Sequence, residues 1–335
     1  MDIKADPSAS ERYTPEGIFA LLQAQASQAL ELKERSEAMA ERWHSDPSRK
    51  RFLVGLISEI LPFPDLLHPI FKGVLLGIRG RLTANDCDLL FCATPPLGAS
   101  DESRRAAALR TIDRGIDGII AWCIPTDDPV FEPIFNSGLP SMFIENDVLG
   151  KRTGSVTSSD VEGMASAVNH LYTTGRRRIA HITGNFETRP GPDRLIGFRS
   201  EIERLGLPAM PEYIQEGDFL HESGYAAMKR LLSLPEPPDA VACACDAIAV
   251  GAMAAIVEDG LLVPKDIAVT GYDDAEYAVL LEPSLTTVRQ DALGMGAAAA
   301  EAVLRMLEDP TLSPPVAVIP TELVVRESSR AARAS

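Results

Sequence analysis

Apolar residues along the chain fall into short continuous runs that alternate with longer stretches of helical spacing. The segment 238–291 shows the pattern clearly. Its run 240–244 predicts a buried parallel strand, and residues 247–259 carry apolar positions at the spacing of a helix, which Gly260 is placed to end. Residues 267–270 predict the next strand. The segment therefore predicts one strand–helix–strand unit of a parallel sheet.

The same alternation recurs through most of the chain. Runs at 52–58, 88–93, 115–120 and 141–144 predict strands, and amphipathic stretches with glycine and proline boundaries separate them. Repeated strand–helix units predict an α/β fold with doubly wound parallel sheets. The chain of 335 residues is long enough for two such lobes and a short extra segment.

Polar side chains follow two of the predicted strands where each strand ends. Cys245 and Asp246 follow one strand, and Asp273 and Asp274 follow the next. In an open α/β sheet, ligands bind beyond the carboxyl ends of the strands. These carboxylates are suited to accept hydrogen bonds from a small hydroxylated ligand. The alternative is that they only cap helices and turns, with Asp246 as the N-cap of its helix.

Charge and cysteine content exclude several classes of function. The net charge of −16 disfavours a nucleic-acid-binding surface over the whole molecule. The five cysteines lie in apolar runs, which is typical of reduced core residues, and their spacing predicts no metal site. Glu145, Asp246 and Asp273 are candidates for acid–base work. Since no nucleophile–base pair or phosphate loop accompanies them, we expect neither an enzyme nor a cofactor.

The sequence also predicts where the protein works. No apolar run is long enough to span a bilayer, and the N-terminus lacks the pattern of a secretion signal. We therefore expect a cytoplasmic protein without a membrane partner.

Several separated motifs together resemble the ligand-sensing core of the lactose-repressor (LacI/GalR) family of bacterial transcription regulators. In order, they are Cys245-Asp246 before a helix, the V-P-x-D of residues 263–266, the GYDD of residues 271–274 and the PSLTTVRQD of residues 283–291. The resemblance to this family covers roughly residues 52–330. The chain is also similar, more distantly, to periplasmic sugar-binding proteins. It implies a core of the type I periplasmic-binding-protein kind, with two lobes joined by a three-strand hinge.

The resemblance also implies domain boundaries. Residues 1–51 would be a helical segment and linker, residues 52–157 plus 291–318 the first lobe, and residues 158–290 plus 319–330 the second. A small polar effector would bind between the lobes and change the hinge angle.

The family's ligand-facing positions carry over to nine residues: Phe63, Glu145, Ser158, Arg194, Phe219, Cys245, Asp246, Asp273 and Gln290. Arg194 stands in the first turn of a predicted helix, which is unfavourable for a cation and favours a binding role. We expect Arg194→Ala or Asp273→Ala to weaken effector binding without loss of the fold. Phe219 is placed either to pack against a sugar ring or simply to pack in the core.

The chain departs from the family pattern at three places, two of them among these nine residues. Cys245 replaces a ligand-contacting asparagine, Ser158 lies where an aromatic residue is found, and Ser159-Asp160 replaces an acidic and an amide residue. The effector class therefore stays open among sugars, nucleosides, polyols and other small metabolites.

Residues 1–51 do not resemble the helix-turn-helix headpiece that usually precedes this core. Gly17 is the only glycine in the segment, and its 8 basic and 9 acidic residues give a net charge of −1, which offers little to DNA phosphates. We expect this segment to pair two subunits of a homodimer or to dock a partner protein that contacts DNA. The alternative function is a transport-type or signalling solute-binding protein, which the missing secretion signal disfavours.

Overall fold

The computed structural model of the protein describes residues 51–58, 69–96, 98–146, 150 and 152–330. Two predictions fall elsewhere. Phe63 and the helical segment predicted within residues 1–51 both lie outside the described residues, so they stay predictions.

The first lobe is built on a six-stranded sheet. Its strands are β1 (Leu53–Ser58), β2 (Asp88–Ala93), β3 (Gly118–Trp122), β4 (Ser141–Ile144), β5 (Thr153–Ser158) and β11 (Val316–Ile319). They lie in the order β11-β5-β4-β3-β1-β2, and every neighbouring pair is parallel. The carboxyl ends of β4 and β5 therefore lie side by side.

The second lobe has a six-stranded sheet of its own. Its strands are β6 (Ile179–Ile182), β7 (Ile214–Gln215), β8 (Ala240–Cys243), β9 (Ala268–Asp273), β10 (Thr286–Arg289) and β12 (Glu322–Val324). They lie in the order β12-β10-β9-β8-β6-β7, and only the edge strand β12 runs antiparallel to its neighbour.

Helices cover both faces of each sheet because the strands bury alternate residues on opposite sides. The first lobe has α1 (Pro69–Ala84), α2 (Asp101–Ile112), α3 (Phe131–Ser137) and α8 (Ala292–Glu308); the second has α4 (Asp160–Thr173), α5 (Pro190–Arg204), α6 (His221–Leu232) and α7 (Asp246–Glu258). In β8, Val241 packs in the core under α6 and α7, whereas Ala242 packs in the core under α4 and α5. The predicted α/β fold with two doubly wound parallel-sheet lobes is confirmed.

The chain passes between the lobes three times, which is the predicted three-strand hinge. It crosses from β5 to α4, from β10 to α8, and from β11 to β12. At the first crossing, the hydroxyl of Ser159 lies 3.1 Å from that of Thr321 in the third crossing. Two of the crossing segments are thus tied directly to each other.

Two local predictions were wrong in detail. The third strand begins at Gly118 rather than at residue 115, because Gly115 has φ +76° and forms the turn after α2. Asp246 is not an N-cap: it is the first residue of α7, and the thiol of Cys245 accepts the hydrogen bond from the backbone N–H of Ile248 at 3.5 Å. Cysteine therefore occupies the cap that sequence preference assigns to aspartate.

Candidate functional site

A group of buried polar side chains lies beyond the carboxyl ends of the strands of both lobes. Glu145 follows β4 and Ser158 ends β5 in the first lobe. Asp273 ends β9 in the second lobe, and Arg194 is the fifth residue of α5, one turn from its start rather than in the predicted first turn. This is the edge at which an open α/β sheet binds its ligands.

Arg194 is the cation at the centre of the group. Its Nε donates to Oδ1 of Asp160 at 2.7 Å, and its Nη1 donates to the carbonyl of Ala244 at 2.6 Å. Nη1 also lies 3.6 Å from Oδ1 of Asp273. Since the side chains of Arg194 and Asp160 are only 4% and 0% exposed, their charges neutralise each other in a medium that screens poorly.

Two aromatic rings flank the same guanidinium. The carbon Cζ of Arg194 lies 3.8 Å from the centroid of the Tyr272 ring and 5.9 Å from that of Phe219. Both distances fall within the range of a cation–π contact. Phe219 has φ +70°, and its ring lies so close to Gly184 that a Cβ there would come within 2.0 Å of it. Phe219 thus packs against the core and borders the polar group at once.

Asp273 is held by the residue that leads into the second crossing. Nε2 of Gln290 donates to Oδ1 of Asp273 at 2.7 Å. The backbone of Asp273 has φ +110°, a conformation that residues with a side chain rarely adopt. A carboxylate held in a strained conformation is a feature typical of functional sites.

Asp246 stands out among the predicted residues because each of its carboxylate oxygens accepts a hydrogen bond from within the protein. Its Oδ1 accepts from the hydroxyl of Thr287 at 2.6 Å, and its Oδ2 accepts from the backbone N–H of Ala275 at 2.7 Å. Burial, and secondarily the charge of Asp273, raise the pKa of Asp246 well above its ordinary value. These contacts have a structural role, since they fix the loop after β9 to the start of α7, although Asp246 does not cap its own helix.

Glu145 is the least satisfied. Its Oε1 accepts from the backbone N–H of Ser158 at 2.9 Å, whereas its buried Oε2 has no hydrogen-bond partner among the described residues. Its backbone has φ +59°. Burial, and secondarily the neighbouring Asp160, raise the pKa of Glu145 to about 8.

Asp160 links the two lobes, although the sequence did not mark it as a site residue. The hydroxyl of Ser158 in β5 donates to Oδ2 of Asp160 at 2.9 Å, while Oδ1 of Asp160 accepts from Arg194. The available signal was the departure from the family pattern at 159–160. Tyr272, inside the GYDD motif, was missed in the same way.

The lobes also meet farther along the cleft. The backbone N–H of Thr126, in the loop after β3, donates to the carbonyl of Glu187, in the loop after β6, at 3.2 Å. The thiol of Cys123 interacts with the side chain of Thr188 beside them. These contacts enclose the polar group between the lobes.

The predicted residues that the structure describes therefore converge. Glu145, Ser158, Arg194, Phe219, Cys245, Asp246, Asp273 and Gln290 are joined by the contacts above, by the Cys245 cap of α7 and by the bond from the Cys245 thiol to the carbonyl of Phe219 at 3.5 Å. Phe63 is not placed. Within the described part of the chain, no three His, Cys, Asp or Glu side chains are arranged to hold a metal ion, and no helix could cross a membrane.

A second concavity is chemically poorer. A cavity of about 540 Å³ lies between α5 and β7 and is lined mainly by apolar residues, among them Phe198, Ile202, Leu207, Met210 and Tyr213. Ligand sites combine apolar walls with a few converging polar groups. Arg199 and Glu203 lie at this cavity, but they do not form a network comparable to that around Arg194. The cleft between the lobes is therefore the better candidate site.

Known proteins share both the sequence and the fold. Residues 168–329 match the model of a periplasmic binding protein-like domain. The HTH-type transcriptional repressor CytR of Escherichia coli K12 is 30% identical over 271 residues, which are 80% of this chain and 78% of that protein. The ribose operon repressor of the same organism is 32% identical over 247 residues, or 73% and 74% of the two chains.

Solved structures agree. The transcriptional regulator CelR in complex with cellobiose superposes with a TM-score of 0.77 at 28% identity, over 88% of this chain and 90% of that one. The lac repressor dimer bound to operator and the anti-inducer ONPF has a TM-score of 0.75 at 24% identity, over 88% and 98%, which supports the fold alone. With the ordered motifs and the two-lobed core, these relatives show that the chain belongs to the LacI/GalR family of transcription regulators.

Proposed function

We propose that the cleft between the lobes binds a small polar effector and that this binding changes the hinge angle of a cytoplasmic transcription regulator. The observation that carries the proposal is the convergence of buried polar groups from both lobes on Arg194. Glu145 and Ser158 come from the first lobe, and Arg194 and Asp273 come from the second. A ligand that contacts both lobes favours one hinge angle over another, and this difference in affinity is what shifts a conformational equilibrium.

A sugar-like effector has support from a relative, since the CelR structure contains cellobiose. The polar groups of this cleft suit a hydroxylated ring, and Phe219 supplies an apolar face beside Arg194. We keep the lobe boundaries proposed from the sequence, 52–157 plus 291–318 and 158–290 plus 319–330, except that Ser158 and Ile319, which end β5 and β11, are counted with the first lobe. We propose no catalytic role for these residues.

A homodimer is the second part of the proposal. Lys72 of α1 pairs with Glu276 after β9 at 2.5 Å, which brings α1 of the first lobe beside the loop of the second. Leu76, Val279, Leu280 and Leu293 are exposed near this junction, Leu280 by 78%. Clustered exposed apolar side chains mark protein–protein contacts, and the related lac repressor is a dimer.

A thermal-shift screen of the purified protein against a metabolite library tests effector binding, because a molecule that binds the native state raises its stability. We expect at least one small polar metabolite to raise the midpoint temperature. The Phe219→Ala variant should respond less to the same metabolite, whereas Phe186→Ala, which alters an exposed ring in the neighbouring loop, should respond as the wild type does. A library without any stabilising member, or hits that bind both variants equally, would contradict the proposed site.

A further inference from the structure

The polar group in the cleft has more carboxyl groups than cations. Among the described residues that converge there, the carboxyl groups of Glu145, Asp160 and Asp273 lie near the guanidinium of Arg194, and that of Asp246 lies near Asp273. All of these groups are buried or nearly so. Charges of one sign repel one another strongly in a poorly screening interior, so the sign of the ligand's charge affects its affinity.

Arg194 is poorly placed to attract an anion. Its Nε is used by Asp160 at 2.7 Å, and its Nη1 is used by Ala244 and lies 3.6 Å from Asp273. The positive charge is therefore compensated by two carboxylates of the protein. A carboxylate or phosphate on a ligand would therefore meet a cation whose charge is already shared with two buried carboxylates, and those carboxylates would repel it.

Glu145 offers the opposite opportunity. Its Oε2 is buried without a hydrogen-bond partner among the described residues, and the side chain is fixed in place through Oε1 by the N–H of Ser158. Burial and the nearby Asp160 both act against a negative charge on Glu145. A buried acceptor of this kind gains most from a partner that brings a hydrogen-bond donor and a positive charge together.

We propose that the effector carries a basic nitrogen, an amine or an amidine, and that Oε2 of Glu145 binds it. Glu145 is then the residue that selects the charge class of the effector. The inference rests on the proposed effector-binding function and narrows it. The extra carboxylate of Asp160, which stands where the family pattern has an amide, adds to the same preference.

A neutral hydroxylated effector is the principal competitor. Its hydroxyl groups would also donate hydrogen bonds to Glu145, but they would not bring the positive charge that stabilises an ionised Glu145. An amino sugar and its parent sugar differ in this one respect and form a matched pair for the test.

The experiment screens three sets of compounds by thermal shift and calorimetry, and the members of each set differ in charge. Glucose, glucosamine and glucuronate form one set, and galactose, galactosamine and galacturonate form another. A metabolite library sorted into cations, neutral molecules and anions is the third. We expect the stabilising members to be cations that bind at least about tenfold more tightly than their neutral counterparts. One charge-assisted hydrogen bond typically makes a difference of this size in affinity.

The variant Glu145→Gln tests the assigned residue. It should lose the preference for the cation, whereas the control Glu162→Gln, which changes an exposed carboxylate on α4, should keep it. A second measurement needs no variant. Because Glu145 has a pKa of about 8, an amine that binds to it near pH 7 should release a proton, which calorimetry in two buffers of different ionisation enthalpy detects.

The outcomes separate the inference from the function on which it rests. Hits that are neutral or anionic, with no gain from an added amine, would overturn the inference and leave effector binding intact. A cation preference that survives in Glu145→Gln, or binding of a cation without proton release, would overturn the role of Glu145. A library in which nothing binds would refute the proposed function itself.

Discussion

Nε of Arg194 donates to Oδ1 of Asp160 at 2.7 Å, and both side chains are almost completely buried. The pair joins the fifth residue of α5 to the first residue of α4, directly after the crossing between the lobes. Arg194 is therefore a structural residue of the hinge region as well as a predicted ligand contact.

This pair changes what is expected of Arg194→Ala. Removing one partner of a buried ion pair typically costs about 3–5 kcal/mol, because the other charge stays buried and uncompensated. The substitution should therefore lower the free energy of unfolding, in addition to weakening binding, which the sequence alone did not indicate. Urea unfolding measures the loss. In a double-mutant cycle, Asp160→Asn combined with Arg194→Ala should cost clearly less than the sum of the single changes; strict additivity would show that the pair is not coupled.

Glu145 should make stability depend on pH. Its pKa is raised to about 8 in the folded protein, against a value of 4.5 for the ordinary side chain, because burial and the charge of Asp160 disfavour ionisation. A raised pKa contributes stability that is present below about pH 4.5 and is lost as the pH rises towards 8. Asp160, Arg194 and the thiol of Cys123 face this carboxyl group, and burial raises the pKa of the Cys123 thiol to about 12, above this range.

The measurement compares the wild type with Glu145→Gln between pH 5 and pH 9. The free energy of unfolding of the wild type should fall relative to the variant, by at most about 1.4 kcal/mol per pH unit. Glu162→Gln should follow the wild type. Parallel curves for the wild type and Glu145→Gln would show that Glu145 does not titrate in this range.

Asp273 should lower the stability of the fold through its strained backbone and strengthen effector binding through its carboxylate. Its φ of +110° is favourable for glycine and strained for other residues. We expect the free energy of unfolding of Asp273→Gly to be about 1–2 kcal/mol higher than that of Asp273→Ala, since only glycine relieves the strain. Both variants lose the carboxylate and its bond to Gln290, and both should bind the effector about tenfold to a hundredfold more weakly. Equal stability of the two variants would mean that the backbone is not strained there.

Leu280 should contribute to the contact between subunits. It is 78% exposed beside the junction of the lobes, and a charge at the centre of an apolar interface is costly to bury. We expect Leu280→Glu to elute as a monomer at micromolar concentration, with its mass measured by light scattering. Leu109→Glu, at an exposed position on α2, is the control and should stay dimeric. A dimeric Leu280→Glu would place the interface elsewhere.

The chain by itself should not bind DNA with sequence selectivity. Residues 1–51 carry a net charge of −1 and no recognisable helix-turn-helix pattern, and they lie mostly outside the described residues. Phosphate contacts supply most of the affinity of a protein for DNA. A fluorescence anisotropy titration at low salt, with the gene's own upstream region and a scrambled duplex, tests this. Tight binding to the upstream region alone would show that these residues do read DNA.

The sequence by itself determined the fold class and predicted which polar residues would lie close together. Strand and helix periodicities depend on neighbours a few positions apart, so the alternation in 238–291 is visible without tertiary information. The rule that ligands bind at the carboxyl ends of parallel strands then placed Asp246 and Asp273 at one edge of a sheet, and Glu145 at the end of a strand in the other lobe. The family motifs added Arg194 and Gln290, whose side chains meet Asp273 as that placement requires.

Only the tertiary structure decided how these charges are shared. Arg194 is paired most closely with Asp160, 34 positions away. It lies farther from Asp273, which ends a strand of its own sheet. Asp246 is satisfied by Thr287 and Ala275, whereas Glu145 keeps an unpartnered oxygen. Which carboxylate receives the single guanidinium depends on distances of a few ångströms between segments far apart in the chain. Local sequence patterns carry no information about those distances, yet in a poorly screening interior they decide the charge that the cleft offers to a ligand.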